Sequence, residues 1–219
     1  VETAIEEDLK TPWSLAFLPD GRQLVTERPG SLRIVDTNLL PEPISGTPKV
    51  IELGQGGLLD VVPSPDFAKD GWIYLAFADP LDAEKKSAML KIVRGRIRDH
   101  AWTDEEVIFQ AAPEFYSPAS VHFGTRMVFD SGYLYFIVGE RGGMLEAQDI
   151  TRPNGKIYRV YPDGRIPEDN PFVANKNAIP GIWSYGHRNP QGLAIDPRDH
   201  RLYATEHGPR GGDEFNIIR

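Results

Sequence analysis

Met127-Val-Phe129-Asp130-Ser-Gly132, followed after one residue by Leu134-Tyr135-Phe-Ile-Val-Gly139-Glu140-Arg141-Gly142, is the stretch that decides how this chain folds. An apolar strand stops at residues suited to a tight turn, and a second apolar strand leaves the turn and ends on an acid. Such alternation on either side of turn chemistry reads as a β-hairpin. The same pattern recurs on both sides. Leu15-Ala-Phe17-Leu-Pro19-Asp20-Gly21 leads into Leu24-Val25-Thr26-Glu27, and Leu59-Asp-Val-Val-Pro63-Ser-Pro65-Asp66 leads into Trp72-Ile-Tyr74-Leu-Ala-Phe77-Ala-Asp79. The last copy is Leu193-Ala-Ile195-Asp196-Pro197 with Leu202-Tyr203-Ala-Thr205-Glu206.

Further strands are predicted at Leu32–Val35, Ala88–Val93, Lys156–Val160 and Phe215–Ile218, and Tyr161-Pro-Asp-Gly164 is a strong stop. Four-stranded units recurring every 40–50 residues or so mark a β-propeller. The expected fold is therefore all-β, with about four blades in one domain over residues 1–219. A β-sandwich is the alternative, but sandwiches seldom repeat turn and acid at matching offsets. The spacing stretches at 80–120 and 140–190, which predicts inserted loops, and loops on one face of a repeat array commonly build its site. Helix is expected only as a single turn over Asp82–Ser87. Glu27, Glu140 and Glu206 end equivalent strands and should point to one rim. Glu27 is expected there as a solvated acid.

Composition narrows the function. Gly 21 and Pro 19 among 219 residues suit many short strands joined by turns. A net charge of −8 with scattered Lys and Arg argues against nucleic acid as partner, and a neutral sugar or small alcohol fits it. No run of about 18 apolar residues predicts a membrane span. The chain begins at Val1 without a signal-peptide core, so a mature exported protein, periplasmic or secreted, and a trimmed chain both fit. The absence of cysteine removes disulfides and thiolate metal sites.

Four strings carry candidate chemistry. Val121-His122-Phe123-Gly124 places an imidazole, the side chain suited to a general base near neutrality, just before a repeat hairpin. Gly186-His187-Arg188-Asn189-Pro190-Gln191-Gly192 packs forked donors and amides suited to a planar polyanion. In Glu206-His207-Gly208-Pro209-Arg210-Gly211-Gly212-Asp213-Glu214, the Gly-Pro step can aim carbonyl oxygens at a hard cation. Asp213 and Glu214 either add carboxylates or anchor that loop. His187 and His207 lack zinc-ligand spacing. Gly54-Gln55-Gly56-Gly57 enters a strand, not a helix, so it is no dinucleotide loop; it is either a tight turn or a close backbone approach to a ligand, with Gln55 as donor.

Taken together, these strings resemble the soluble PQQ-dependent glucose/sorbosone and aldose sugar dehydrogenases. The likeness runs from Pro12-Trp13-Ser14-Leu15 to Arg219 and includes Gly54–Leu59, His122–Gly124, Gly139–Arg141, Gly186–Gly192 and Glu206–Pro209. The resemblance implies a six-bladed propeller that oxidises the anomeric hydroxyl of an aldose to a lactone, with hydride passing to Ca²⁺-bound PQQ. In it His122 matches the general base, and Glu140 matches the carboxylate that orients it, where some members carry Asp. Arg188 matches the guanidinium near the reactive quinone carbonyl. Gln55, Asn189 and Gln191 match cofactor contacts, and Gly208 and Pro209 match backbone ligands of the calcium ion. An electron acceptor is a further implied partner. The family runs well past 300 residues, so the C-terminal blades are expected in a missing segment or a second chain, with a naturally shortened relative as the third, less favoured reading. Two competing readings are a non-enzymatic propeller module that binds a protein or glycan, and a calcium-dependent propeller hydrolase such as a lactonase.

Overall fold

Each expected hairpin closes around its turn. In the computed structural model, which describes residues 9–82 and 86–219, Asp130 pairs with Tyr133 across Ser131-Gly132. Both loop residues take positive φ, 49° and 82°, the conformation of a two-residue turn that follows the natural strand twist. The hairpins extend into four antiparallel sheets among the described residues, each meandering in chain order. The first holds β1 (Pro12–Phe17), β2 (Gln23–Glu27), β3 (Leu32–Asp36) and β4 (Asn38–Leu39). The second holds β5 (Leu58–Pro63), β6 (Ile73–Asp82), β7 (Ser87–Arg98) and β8 (Ala101–Gln110). The third holds β9 (Met127–Asp130), β10 (Tyr133–Val138), β11 (Lys156–Val160) and β12 (Ile182–Tyr185). The fourth holds β13 (Pro190–Ile195), β14 (Leu202–Glu206) and β15 (Glu214–Ile218). This is the all-β, blade-by-blade architecture of the propeller class.

The chain divides into two compact units, one up to Gln110 and one from Ala111 onward. In the first, Leu24, Leu32 and Ile34 pack with Leu58, Val61, Leu75, Phe77 and Val93 of the neighbouring sheet. In the second, Ile137 and Ile157 pack with Leu193, Leu202, Ala204 and Ile218, and Tyr135 meets Trp183 edge-on at 6.1 Å. Burying such a side chain contributes roughly 1.5–3 kcal/mol, so sheet-on-sheet packing holds each unit together.

Two expectations change. The stretch 80–120 is mostly strand rather than inserted loop, since β7 and β8 run through it. The outer strand β8 carries Asp104-Glu105-Glu106, all three exposed, so no apolar alternation announces it. Glu27 is not solvated: it is 2% exposed, accepts the Lys10 amide at 2.6 Å and lies 3.7 Å from Arg33. The single helical turn expected over Asp82–Ser87 centres on residues 83–85, outside the described residues. No helix among the described residues is long and apolar enough to cross a membrane.

Candidate active site

The site residues of the second unit are placed by an extension of the β9–β10 hairpin. Beyond the paired strands the Gly139 amide donates to Phe123 O and the Arg141 amide to His122 O, each at 3.3 Å. The His122–Gly124 and Gly139–Arg141 strings are thus two sides of one ribbon. Gly139 is required there, because a Cβ would run into the His122 carbonyl. His122 sits at φ 54°, a left-handed conformation uncommon outside glycine and frequent at functional sites.

Across this ribbon His122 Nδ1 contacts Glu140 Oε1. The carboxylate side chain is 1% exposed and the imidazole 15%. A carboxylate only accepts hydrogen bonds, so the contact puts the ring proton on Nδ1 and the basic lone pair on Nε2. Arg141 props up the backbone behind the histidine. Its guanidinium donates to Val121 O at 2.6 Å and to Ala119 O, and lies 3.2 Å from the centre of the Phe123 ring. Burial pulls its pKa down to about 9, partly countered by the neighbouring Glu140 charge.

The Gly186–Gly192 loop joins the ribbon directly. The Glu140 amide donates to Arg188 O at 2.8 Å, and Asn189 Oδ1, buried, accepts the Gly124 amide at 3.2 Å. Asn189 therefore ties the two loops together through its carbonyl oxygen. Arg188 reaches the third loop: its Nη1 donates to His207 O at 3.1 Å and Gly208 O at 3.2 Å. The Gly208 amide donates to Asp213 Oδ1 at 2.9 Å, so Asp213 anchors this loop, while Glu214 accepts from Asn216 at 2.9 Å. Gln191 is half-buried and lines a cavity of about 330 Å³ with His207 and Asp213, and Pro209 is exposed and not part of that lining. Gln55 lies exposed in the first unit, on a loop whose Gly54 and Gly56 carbonyls accept from Arg28. His122, Glu140, Arg188, Asn189 and Gly208 thus form one connected set.

Sequence reasoning missed two supports. Asn154 donates to Glu140 O at 3.3 Å, and the fully buried Lys156 ammonium donates to the carbonyls of Glu146 and Ala147, 3.0 Å each, and of Asn154. Burial pulls the Lys156 pKa down to about 8. A lysine at the head of an apolar strand was the one available signal. Among the cavities of the second unit, one of about 470 Å³ is lined by Phe115, Tyr116, Arg141, Glu146, Arg152 and Asn154. A larger one of about 670 Å³ lies in the first unit and contains none of the motif residues.

A hard cation fits the 206–209 turn by its donor chemistry. Two main-chain carbonyls already converge on one positive group, the Arg188 guanidinium. A Cβ on Gly208 would meet the carbonyls of Gly211 and Gly212, so the turn is kept open by glycine. No cluster of three His, Cys, Asp or Glu able to hold a metal exists among the described residues; a cation at this turn would rest on carbonyl oxygens, which calcium accepts.

Known proteins are similar to this chain in sequence and fold. The aldose sugar dehydrogenase YliI of Escherichia coli (strain K12) is 44% identical over 218 residues, 97% of this chain and 58% of that protein. The apo-form crystal structure of the soluble aldose sugar dehydrogenase from Escherichia coli matches with a TM-score of 0.88 at 44% identity, over 96% of this chain and 61% of that one. The PQQ-bound aldose sugar dehydrogenase of Streptomyces coelicolor matches with a TM-score of 0.82 at 34% identity, over 97% of this chain and 61% of that one. The chain thus spans about three fifths of the length of these relatives. The family profile described as Glucose / Sorbosone dehydrogenase covers residues 9–219, which takes in every string discussed above. On this match and on a relative at 44% identity, the chain belongs to the glucose/sorbosone dehydrogenase family.

Proposed function

We propose that this chain carries the base, the guanidinium and the cation turn of a quinoprotein oxidoreductase, which converts the anomeric hydroxyl of an aldose into a lactone. The whole protein is read as one six-bladed propeller domain that uses PQQ and calcium. The observation that carries this reading is the buried Glu140 carboxylate on His122 Nδ1, tied through the Glu140 amide to Arg188. Further support comes from a PQQ-bound relative at 34% identity.

Oxidation of the anomeric carbon removes a proton from its oxygen and a hydride from the carbon. PQQ, when bound, supplies the two-electron acceptor, and calcium supplies a Lewis acid that polarises its carbonyl. His122 Nε2 takes the hydroxyl proton. Because Nδ1–H already points at Glu140, the imidazolium that forms is stabilised by a buried, fixed carboxylate rather than by solvent that must reorganise. Arg188 holds positive charge where negative charge develops, and Gln55, Asn189 and Gln191 are read as orienting the cofactor. The carbonyls of Gly208 and Pro209 are read as cation ligands.

The test is dye reduction by glucose with the full-length protein, reconstituted with PQQ and Ca²⁺. Sugar-dependent dye reduction is expected. PQQ binding without dye reduction would favour a binding module, and lactone turnover without PQQ would favour a hydrolase.

A further inference from the structure

Glu206 ends β14 as Glu140 follows β10, and it too faces a histidine. Its side chain is 6% exposed, and Oε2 has no hydrogen-bond partner among the described residues. His187 Nδ1 lies 3.4 Å from it. A buried carboxylate is tolerated only beside a donor, so the ring proton belongs on Nδ1. On the other side of the ring, Nε2 lies 2.9 Å from Ser184 Oγ, whose hydroxyl donates to it. With Nε2 hydrogen-bonded to Ser184 and Nδ1 turned toward the Glu206 carboxylate, the plane of the imidazole is set. Ser184 is a strand residue paired with Ile157, and its hydroxyl serves the ring.

His187 immediately precedes Arg188, and Glu206 immediately precedes His207. The two loops are joined again beside the pair: Arg188 Nη1 donates to His207 O at 3.1 Å, and the His207 amide lies 3.5 Å from Asn189 O. We propose that Ser184, His187 and Glu206 form a positioning relay that holds the Arg188 guanidinium and the 206–209 carbonyl turn in register. The effect on cofactor affinity rests on the proposed quinone reaction; the holding of the loops does not. A shift of about 1 Å between such groups costs up to about a hundredfold in rate, which gives the relay its leverage.

Two substitutions separate this role from general support, because an asparagine amide reaches about as far as Nδ1 and a glutamine amide about as far as Nε2. In full-length protein, H187N keeps a donor toward Glu206, whereas H187Q and E206A do not. Hydrogen exchange at the Glu140 and His207 amides, PQQ titration in Ca²⁺ and thermal melting are measured on each variant. Expected for H187Q and E206A are about tenfold faster exchange at both amides and about tenfold weaker PQQ binding, with H187N within about twofold of the parent on both. Exchange unchanged in H187Q overturns the relay. So does an equal loss in H187N and H187Q that merely follows their melting temperatures. Should the parent protein bind no PQQ while the exchange pattern holds, the quinone reading falls and the relay stands.

Discussion

Two histidine–carboxylate pairs occupy matching places in the third and fourth sheets, and they are built for different work. In each, an acid at the end of the sheet's second strand meets a histidine from the loop that precedes its first strand. The Glu140 pair leaves its imidazole 15% exposed, whereas the His187 ring is 9% exposed and capped by Ser184. The first sheet carries the same acid, Glu27, with Arg33 and a main-chain amide as partners. In these three sheets the repeat supplies a buried carboxylate, and the partner it meets decides its use. The more exposed ring suits a base. The deeper ring, hydrogen-bonded to a serine, suits a strut.

The comparison breaks if H122A and H187A give the same phenotype. In full-length enzyme, H122A is expected to lower kcat about a thousandfold while leaving PQQ affinity within a few fold, as steady-state dye reduction and cofactor titration would show. A normal kcat would remove His122 from the base role. Next in size, R188A is expected to lower both kcat and PQQ affinity, each by about ten- to a hundredfold, because its guanidinium holds the carbonyl turn and is proposed to meet the cofactor as well. A variant with tight PQQ binding would show that the guanidinium is not a cofactor contact.

G139A sharpens the contrast from the backbone side. Its methyl group would push on the His122 carbonyl, and the expected loss is about 1–3 kcal/mol of stability, read from denaturant midpoints, together with reduced turnover. Unchanged values for both would mean that the ribbon yields without moving the histidine.

The smallest effect concerns a third, exposed contact, His200 Nδ1 with Asp130 at 2.7 Å. The hydrogen bond and charge of Asp130 raise the His200 pKa above 6.5. A raised folded-state pKa means that the contribution is complete below the unfolded value and is lost as pH rises through the folded one. In D130N the His200 ring resonances should titrate closer to 6.5. An unmoved titration would show that this surface pair carries no coupling.

Much of the molecule was legible because its signals are local. Lys156–Val160 was predicted with its observed ends, and Leu32–Val35 within one residue, since period-2 alternation and Asp/Gly turns act over a few residues. Strand β8 escaped because an outer, charged strand shows no apolar face. The strings that hold His122, Glu140 and Arg188 could be picked out one by one. Their joining could not, since it depends on Glu140 N–H meeting Arg188 O, a contact between residues far apart in the chain.

By itself, then, the sequence determined an all-β chain of repeated hairpins, each second strand closing on an acid, because alternation and turn chemistry are properties of neighbouring residues. Only the tertiary structure decided which of those acids are buried and what each one meets. Glu27 went to an arginine, Glu140 to a partly exposed histidine and Glu206 to a more deeply buried histidine that is hydrogen-bonded to Ser184. The reason is desolvation: a carboxylate withdrawn from water must be matched by whatever donor the fold brings to it, and that donor is chosen by packing, not by spacing along the chain.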